Sequence, residues 1–91
     1  MLIYKSKKYI KSLKKVLRSG KIHILEIDRV IDLLAESKIL PIKYQDHYLT
    51  GEFTGCRECH IRPDLLLIYK IEKDILILTL INIGRHSELF K

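Results

Sequence analysis

Apolar residues recur at helical spacing in two stretches of the first half of the chain. Between Lys7 and Arg18 they fall three and four positions apart, with Ser6 placed to cap the first turn and Ser19-Gly20 ending the pattern. A second stretch with the same period runs from Ile24 to Glu36. The short apolar segment Leu2–Tyr4 precedes both and is predicted to form a strand. The first half is therefore expected to be a strand followed by a helix hairpin.

The second half has the apolar pattern of strands. Cys56–Ile61 is predicted as one strand, the almost wholly apolar Leu65–Ile71 as the next, and Ile75–Ile83 as a third after a turn at Glu72–Asp74. Ser37–Gly55 has no clear period, which predicts a long loop and makes it a candidate functional segment. The expected fold class is α+β, a small antiparallel sheet in which a three-stranded meander carries the helix hairpin on one face.

Composition and length limit the class of protein. The 91 residues are 47% hydrophobic and 31% charged, which favours a single folded domain over residues 1–91 and excludes a disordered chain. No apolar run is long enough to be a signal peptide or a membrane span, so a cytoplasmic protein is expected. Cys56 and Cys59 are then expected to stay reduced.

Positive charge is concentrated near the start of the chain. The formal net charge is +6, and the first 21 residues contain eight Lys or Arg and no acidic residue. In the first predicted helix the cations lie opposite the apolar stripe, and the candidates for RNA contact are Lys7, Lys11, Lys14 and Arg18. A face that is simply solvated is the alternative interpretation. The asymmetry of charge favours phosphate binding.

Three of the four histidines lie in the second half of the chain. His47 falls in the predicted loop, His60 near the end of a strand and His86 just past the last strand. Residues two apart on a strand share a face, so Glu58 and His60 are expected to be neighbours. Hairpin pairing should bring Asp64 and His86 to one end of the sheet. Because imidazoles exchange protons near neutral pH and cations attract phosphate, the pattern predicts acid–base chemistry on RNA.

Cys56 and Cys59, followed by His60, also permit a zinc interpretation, since thiolates and imidazole are zinc ligands. Three-residue spacing on a strand, however, sends the two thiols to opposite faces, and a second pair of ligands is missing from the sequence. The prediction is that the chain has no metal site and that the cysteines are core or boundary residues. His23 is expected to lie on the surface or to cap the second helix.

Three segments of the second half resemble a known family. They are Asp46–Gly51 (DHYLTG), Arg57–Tyr69 (RECHIRPDLLLIY) and Gly84–Phe90 (GRHSELF). In order and spacing they resemble YafQ-type toxins of the RelE/ParE superfamily, whereas the first half agrees only in element order and basic charge. The resemblance implies a RelE-like fold and a metal-independent, ribosome-dependent mRNA endonuclease without a cofactor. It also implies a cognate DinJ/RelB-like antitoxin, operator DNA bound only through that antitoxin, and no membrane partner.

The resemblance also assigns roles to individual residues. The matching positions are His47, His60, Asp64 and His86 for catalysis, Glu58 for an acid beside them and Phe90 for a C-terminal aromatic. The chain departs from the family at two positions, with Leu65 where a tryptophan is often found and Asn82 where an arginine is common. Because Asn82 carries no charge, Arg62 or Arg85 is a candidate for supplying charge to the phosphate.

The implied reaction uses the nucleophile that RNA already carries. A base deprotonates the 2′-hydroxyl, an acid protonates the leaving 5′-oxygen, and cations stabilise the phosphorane between them. We expect His86 to be the acid, His60 or His47 to be the base or a phosphate contact, and Asp64 to orient an imidazole or raise its pKa. One alternative is a toxin-like binding module that has lost cleavage, which Asn82 favours. Another is the gyrase-directed branch of the superfamily, which generally lacks such a histidine set.

Overall fold

The computed structural model describes residues 1–90, which form a five-stranded sheet with α-helices. The elements are β1 (Leu2–Lys5), α1 (Lys7–Arg18), α2 (Ile24–Ala35), β2 (His47–Tyr48), β3 (Arg57–Arg62), β4 (Leu65–Glu72), β5 (Ile77–Gly84) and α3 (His86–Leu89). Single 3-10 turns occupy Ile42–Tyr44 and Gly51–Phe53. Within the described part of the chain, no helix has the length and apolar character needed to cross a bilayer.

The sheet is mixed, with the strand order β1-β5-β4-β3-β2. The predicted antiparallel meander is confirmed as β3, β4 and β5, and the predicted α+β class is confirmed with it. At one edge β1 runs parallel to β5, and at the other β2 pairs antiparallel with β3. β1 agrees with the predicted strand Leu2–Tyr4, but its partner could not be predicted, because β1 and β5 lie far apart in the sequence.

The predicted helix hairpin packs on one face of the sheet. The Oγ of Ser6 accepts a hydrogen bond from the backbone N–H of Tyr9 at 3.0 Å, which confirms it as the cap of α1. His23 caps α2, its Nδ1 accepting from the backbone N–H of Leu25 at 3.1 Å. The helices and the sheet enclose a helix-side core that includes Tyr9, Ile27, Val30, Cys59, Leu67, Tyr69, Leu78 and Leu80.

The opposite face of the sheet carries a smaller second core. Its buried residues are Leu66, Ile68 and Leu89, with Leu49, Phe53, Cys56, Ile81 and Phe90 packed against them. Leu49, Phe53, Leu89 and Phe90 cover this face from segments in which the hydrophobic pattern predicted no helix or strand. The stretch 37–55, predicted as a long loop, contains β2 and the two 3-10 turns, and α3 was not predicted. Two strand residues or one helical turn are too few for a hydrophobic period to emerge.

Candidate active site

Three titratable side chains meet where β2 pairs with β3. His47 lies directly opposite Glu58 across the ladder, and Glu58 shares its face with His60 two residues on. The Oε1 atom of Glu58 is 3.4 Å from Nε2 of His60 and 3.6 Å from Nε2 of His47. The predicted proximity of Glu58 and His60 is thereby confirmed. We refer to His47, Glu58 and His60 as the histidine–glutamate cluster.

Glu58 is buried although its side chain is ionisable. Only 4% of the residue is exposed, and among residues 1–90 its Oε2 atom has no hydrogen-bond partner. A buried carboxylate oxygen without a partner is unfavourable for folding, and such groups are uncommon in native proteins. The adjoining imidazoles are more accessible, with side-chain exposures of 50% for His47 and 20% for His60. The cluster thus presents two imidazoles to solvent above a buried acid.

In both imidazole rings of the cluster, the Nδ1 nitrogen lies near a backbone carbonyl oxygen. The Nδ1 atom of His47 is 2.6 Å from the backbone oxygen of Gln45, and that of His60 is 3.3 Å from the backbone oxygen of Pro63. A neutral imidazole has one donor and one acceptor nitrogen, so each ring can bind a carbonyl through Nδ1 while its Nε2 atom faces Glu58. The arrangement holds both rings beside Glu58, with the Nε2 atoms directed toward its carboxyl group.

The C-terminal segment holds the third predicted histidine on the same side of the sheet. Leu89 of α3 and the following Phe90 pack onto the second core, and the centroid of the His86 ring lies 4.9 Å from that of the Phe90 ring. The Phe90 ring in turn meets Phe53 edge-to-face at 5.6 Å. His86 itself is exposed at the first position of α3. It is therefore accessible to a substrate lying across this face.

Asp64 lies in the turn between β3 and β4, at the end of the sheet where α3 begins. Its Oδ2 atom accepts a hydrogen bond from Nε of Arg85 at 3.0 Å, and Arg85 is the residue that precedes His86. The expectation that Asp64 and His86 come to one end of the sheet is confirmed. The described partner of Asp64 is a guanidinium and not an imidazole, so its contact with the histidines is indirect.

The two arginines predicted to contact phosphate both hold carboxylates in this structure. Arg62 donates to Glu26 through two nitrogens at 3.0 and 2.8 Å, and Arg85 donates to Asp64. The hydrogen bond that each carboxylate accepts raises the pKa of its arginine, so both guanidiniums stay charged. Because the pairs are exposed, a phosphate could exchange with either carboxylate at little cost.

The two departures from the family pattern lie in different places. Asn82 is in register with Ile68, which is in register with Glu58, so the three form one row across the sheet. The Oδ1 of Asn82 accepts from the backbone N–H of Ile83 at 2.9 Å. Leu65 is 8% exposed and belongs to the helix-side core. Asn82 therefore lies in the same row of the sheet as Glu58 of the histidine–glutamate cluster, whereas Leu65 lies in the helix-side core.

The basic face of α1 is exposed as predicted. Lys7, Lys11, Lys14 and Arg18 are all exposed, and within residues 1–90 none of them forms an ion pair. The neighbouring Lys15 donates to Glu88 of α3 at 2.8 Å. That contact places the C-terminal part of α1 beside the segment that carries His86.

The cysteines face opposite sides of the sheet, as their spacing predicted. Cys59 is fully buried in the helix-side core, where burial raises the pKa of its thiol to about 12, and Cys56 packs against the second core. They cannot chelate one ion together with His60, as the zinc interpretation requires. Across residues 1–90, no three His, Cys, Asp or Glu side chains surround a point in the manner of a metal site.

Sequence reasoning missed a network on the other face of the β2–β3 ladder. Asp46 accepts from Arg57 at 2.9 Å (Nη2) and 3.2 Å (Nε), and it also accepts from the hydroxyl of Tyr69. The Arg57 guanidinium lies over the Tyr48 ring, 4.1 Å from its centroid. All four residues fall within the family-like segments, but their residue types alone gave no reason to group them.

The chain matches known toxins in sequence and in structure. The profile of the family described as "Bacterial toxin of type II toxin-antitoxin system, YafQ" matches residues 1–91. The mRNA interferase toxin YafQ of Escherichia coli K12 is 41% identical over 51 residues, which are 56% of this chain and 53% of that protein. The sequence match therefore spans about half the length of that relative.

The structural matches cover almost the whole chain. A metal-bound toxin from Helicobacter pylori is 42% identical with a TM-score of 0.89 and 99% of each chain covered. The toxin structure from the Escherichia coli DinJ–YafQ toxin–antitoxin complex is 32% identical with a TM-score of 0.87, covering 98% of this chain and 96% of that one. With the family profile matched from end to end, the chain belongs to the YafQ family of bacterial toxins of type II toxin–antitoxin systems.

Proposed function

We propose that this chain is a ribosome-dependent mRNA endoribonuclease that cleaves without a metal ion and is neutralised by a cognate DinJ/RelB-like antitoxin. The observation that carries the proposal is the histidine–glutamate cluster, which lies on the same side of the sheet as the exposed imidazole of His86. The family membership and the name of the Escherichia coli relative support the same reaction. Operator DNA would be contacted only through the antitoxin.

In this mechanism the 2′-oxygen of RNA attacks the adjacent phosphorus. A base removes the 2′-hydroxyl proton, the bond to the 5′-oxygen breaks, and an acid protonates that oxygen, which leaves a 2′,3′-cyclic phosphate and a 5′-hydroxyl end. We assign the acid to His86, which is exposed, and the base or a phosphate contact to His47 or His60. The imidazole of the cluster that does not act as the base would, when protonated, stabilise the negative charge of the phosphorane.

Asp64 supports His86 through Arg85 in this proposal. The Asp64–Arg85 hydrogen bond joins the β3–β4 turn to the residue that precedes His86. Fixing the start of a single-turn helix limits the positions that its first side chain can take. Asp64 is thus assigned a positioning role, and the Nη groups of Arg85 would bind a phosphate while Nε keeps its hydrogen bond to Asp64.

The ribosome would supply what a small domain lacks, namely a substrate held with its 2′-oxygen in line with the leaving group. Such alignment contributes several kcal/mol to catalysis, about 7 to 11 in well-oriented model reactions. The basic face of α1 would bind ribosomal or messenger RNA phosphates. Since the substrate is translated mRNA, the toxin would act in the cytoplasm.

Inducing the chain in bacteria without its antitoxin tests the proposal. We expect growth arrest and new 5′-hydroxyl mRNA ends within coding regions. In vitro, protein treated with EDTA should produce the same ends on ribosome-bound mRNA in magnesium buffer, and none on free mRNA. Arrest with intact mRNA would favour the alternative of a binding module, to which the uncharged Asn82 points.

The basic face of α1 yields a separate prediction. Reversing two of its charges with Lys11→Glu and Lys14→Glu should weaken ribosome binding and lower the slope of log affinity against log salt concentration by about two, since about one counterion is released per phosphate contact. Both residues are exposed, so the free energy of unfolding should change by less than about 0.5 kcal/mol. Co-sedimentation with ribosomes at several salt concentrations measures the effect.

Lys70→Glu with Lys73→Glu is the matched control for that experiment. These lysines are exposed near the β4–β5 hairpin, and the control changes the net charge of the chain by the same amount. We expect the control to retain most of the ribosome affinity. Equal losses in the two double variants would mean that only the overall charge matters, and unchanged binding of the α1 variant would reject the RNA contact.

A further inference from the structure

The strand that carries His47 is too short to be held by its backbone alone. β2 contains two residues at the edge of the sheet, and its ladder with β3 consists of the pairs His47–Glu58 and Tyr48–Arg57. Edge strands of this length are marginal without further support. The imidazole of His47 is half exposed, and its contact through Nδ1 is with Gln45 of the same loop. One further backbone hydrogen bond, from Leu49 to Cys56, and the packing of Leu49 on the second core support the segment, and side-chain contacts add to them.

Those added side-chain contacts lie on the opposite face of the ladder. We call the hydrogen-bonded set Asp46, Arg57 and Tyr69 the Asp46 clamp. Asp46 precedes His47, so its side chain points away from the histidine–glutamate cluster, and it is bound by both Arg57 of β3 and Tyr69 of β4. Tyr69 is 1% exposed in the helix-side core. The clamp thus ties the loop residue next to His47 to two interior strands.

The chemistry of the clamp favours one geometry. A guanidinium that donates through two nitrogens to one carboxylate restricts both distance and direction. The hydrogen bond to Asp46 raises the pKa of Arg57, while burial and then the same carboxylate raise the pKa of Tyr69. Both donors therefore keep their protons throughout the neutral range. Tyr48 adds an aromatic face beneath the Arg57 guanidinium, on the second residue of β2.

We propose that the Asp46 clamp positions the His47 imidazole for RNA cleavage from the opposite face of the β2–β3 ladder. The inference rests on the proposed function, and it assigns to Asp46, Arg57 and Tyr69 a role that acts through His47 and not on the substrate. A reacting group displaced by about 1 Å can lose about 100-fold in rate. Loosening the clamp should therefore slow the chemical step without weakening ribosome binding.

Tyr69→Phe tests the clamp with the smallest change, because it removes a hydroxyl and keeps the buried ring. We expect the single-turnover rate at saturating toxin to fall about 10- to 100-fold with ribosome affinity unchanged. Tyr9→Phe is the matched control, since Tyr9 is also 1% exposed and lies in the same core. It should cleave at the wild-type rate. Asp46→Asn, which removes the charge that Arg57 binds, should repeat the effect of Tyr69→Phe.

Measuring Tyr69→Phe in a His47→Ala background separates an effect on the position of His47 from a general loss of activity. If the clamp acts through His47, then adding Tyr69→Phe to His47→Ala should cause little further loss. A loss as large as that in the wild-type background would overturn the proposal, because the hydroxyl would then act on something other than His47. A wild-type rate for Tyr69→Phe would overturn it as well.

A readout independent of cleavage distinguishes this inference from the function on which it rests. In the NMR spectrum of protein with labelled histidines, Tyr69→Phe should shift or broaden the His47 imidazole signals and leave those of His86 in place. Unchanged His47 signals would contradict the clamp even if cleavage fell. Absence of cleavage by the wild-type protein on ribosomes would instead reject the proposed function, and the His47 signals would still decide whether the clamp positions the ring.

Discussion

Replacing His86 with alanine should lower the rate of mRNA cleavage on the ribosome by about 100- to 10,000-fold, which is the usual contribution of a positioned acid or base. Cells expressing the variant should grow, whereas the wild-type toxin arrests them. His86 is exposed and its ring contacts Phe90 at the edge of the second core. The free energy of unfolding should therefore change by no more than about 0.5 kcal/mol.

His23→Asn is the matched control for His86→Ala. His23 is also exposed, but it caps α2 on the other side of the sheet, and asparagine can replace it as a cap. The control should remain toxic and cleave normally. A folded His86→Ala variant that cleaves at the wild-type rate would remove His86 from the mechanism, and an unfolded one would be recognised by its thermal unfolding curve before any rate is compared.

Replacing Glu58 with methionine should change stability and activity in opposite directions. The side chain is buried and one carboxylate oxygen has no partner among residues 1–90. An unbranched apolar side chain of similar length removes that desolvation penalty, so the free energy of unfolding should rise by about 1 kcal/mol or more. Cleavage should fall by about 100-fold or more, because His47 and His60 lose the carboxylate between them.

Glu58→Gln separates charge from shape at the same position. It retains the size and polarity of the side chain, so cleavage should fall but stability should not rise as it does with methionine. Chemical denaturation and single-turnover cleavage of the three proteins measure both quantities. A methionine variant less stable than wild type would show that the carboxylate has a structural partner, and full activity in either variant would exclude Glu58 from the site.

Much of the architecture follows from patterns that are local in the chain. The helical period predicted α1 and α2 nearly to their ends, and Ser6 was identified as a cap because capping depends on neighbouring residues. The alternation of a strand predicted that Glu58 and His60 share a face and that the two thiols do not. The family-like segments supplied the remaining candidate residues, whose catalytic roles stay predictions.

Only the tertiary structure decided how distant segments meet. The parallel pairing of β1 with β5 and the two-residue strand β2 depend on contacts that no hydrophobic period encodes. The burial of Glu58 and the partners of Asp64 and Asp46 arise from packing between elements. Residue type and local order are properties of the sequence, whereas burial and hydrogen-bond partners are set by which surfaces fold together. For that reason the histidines were visible in the sequence, and the contacts that hold them were not.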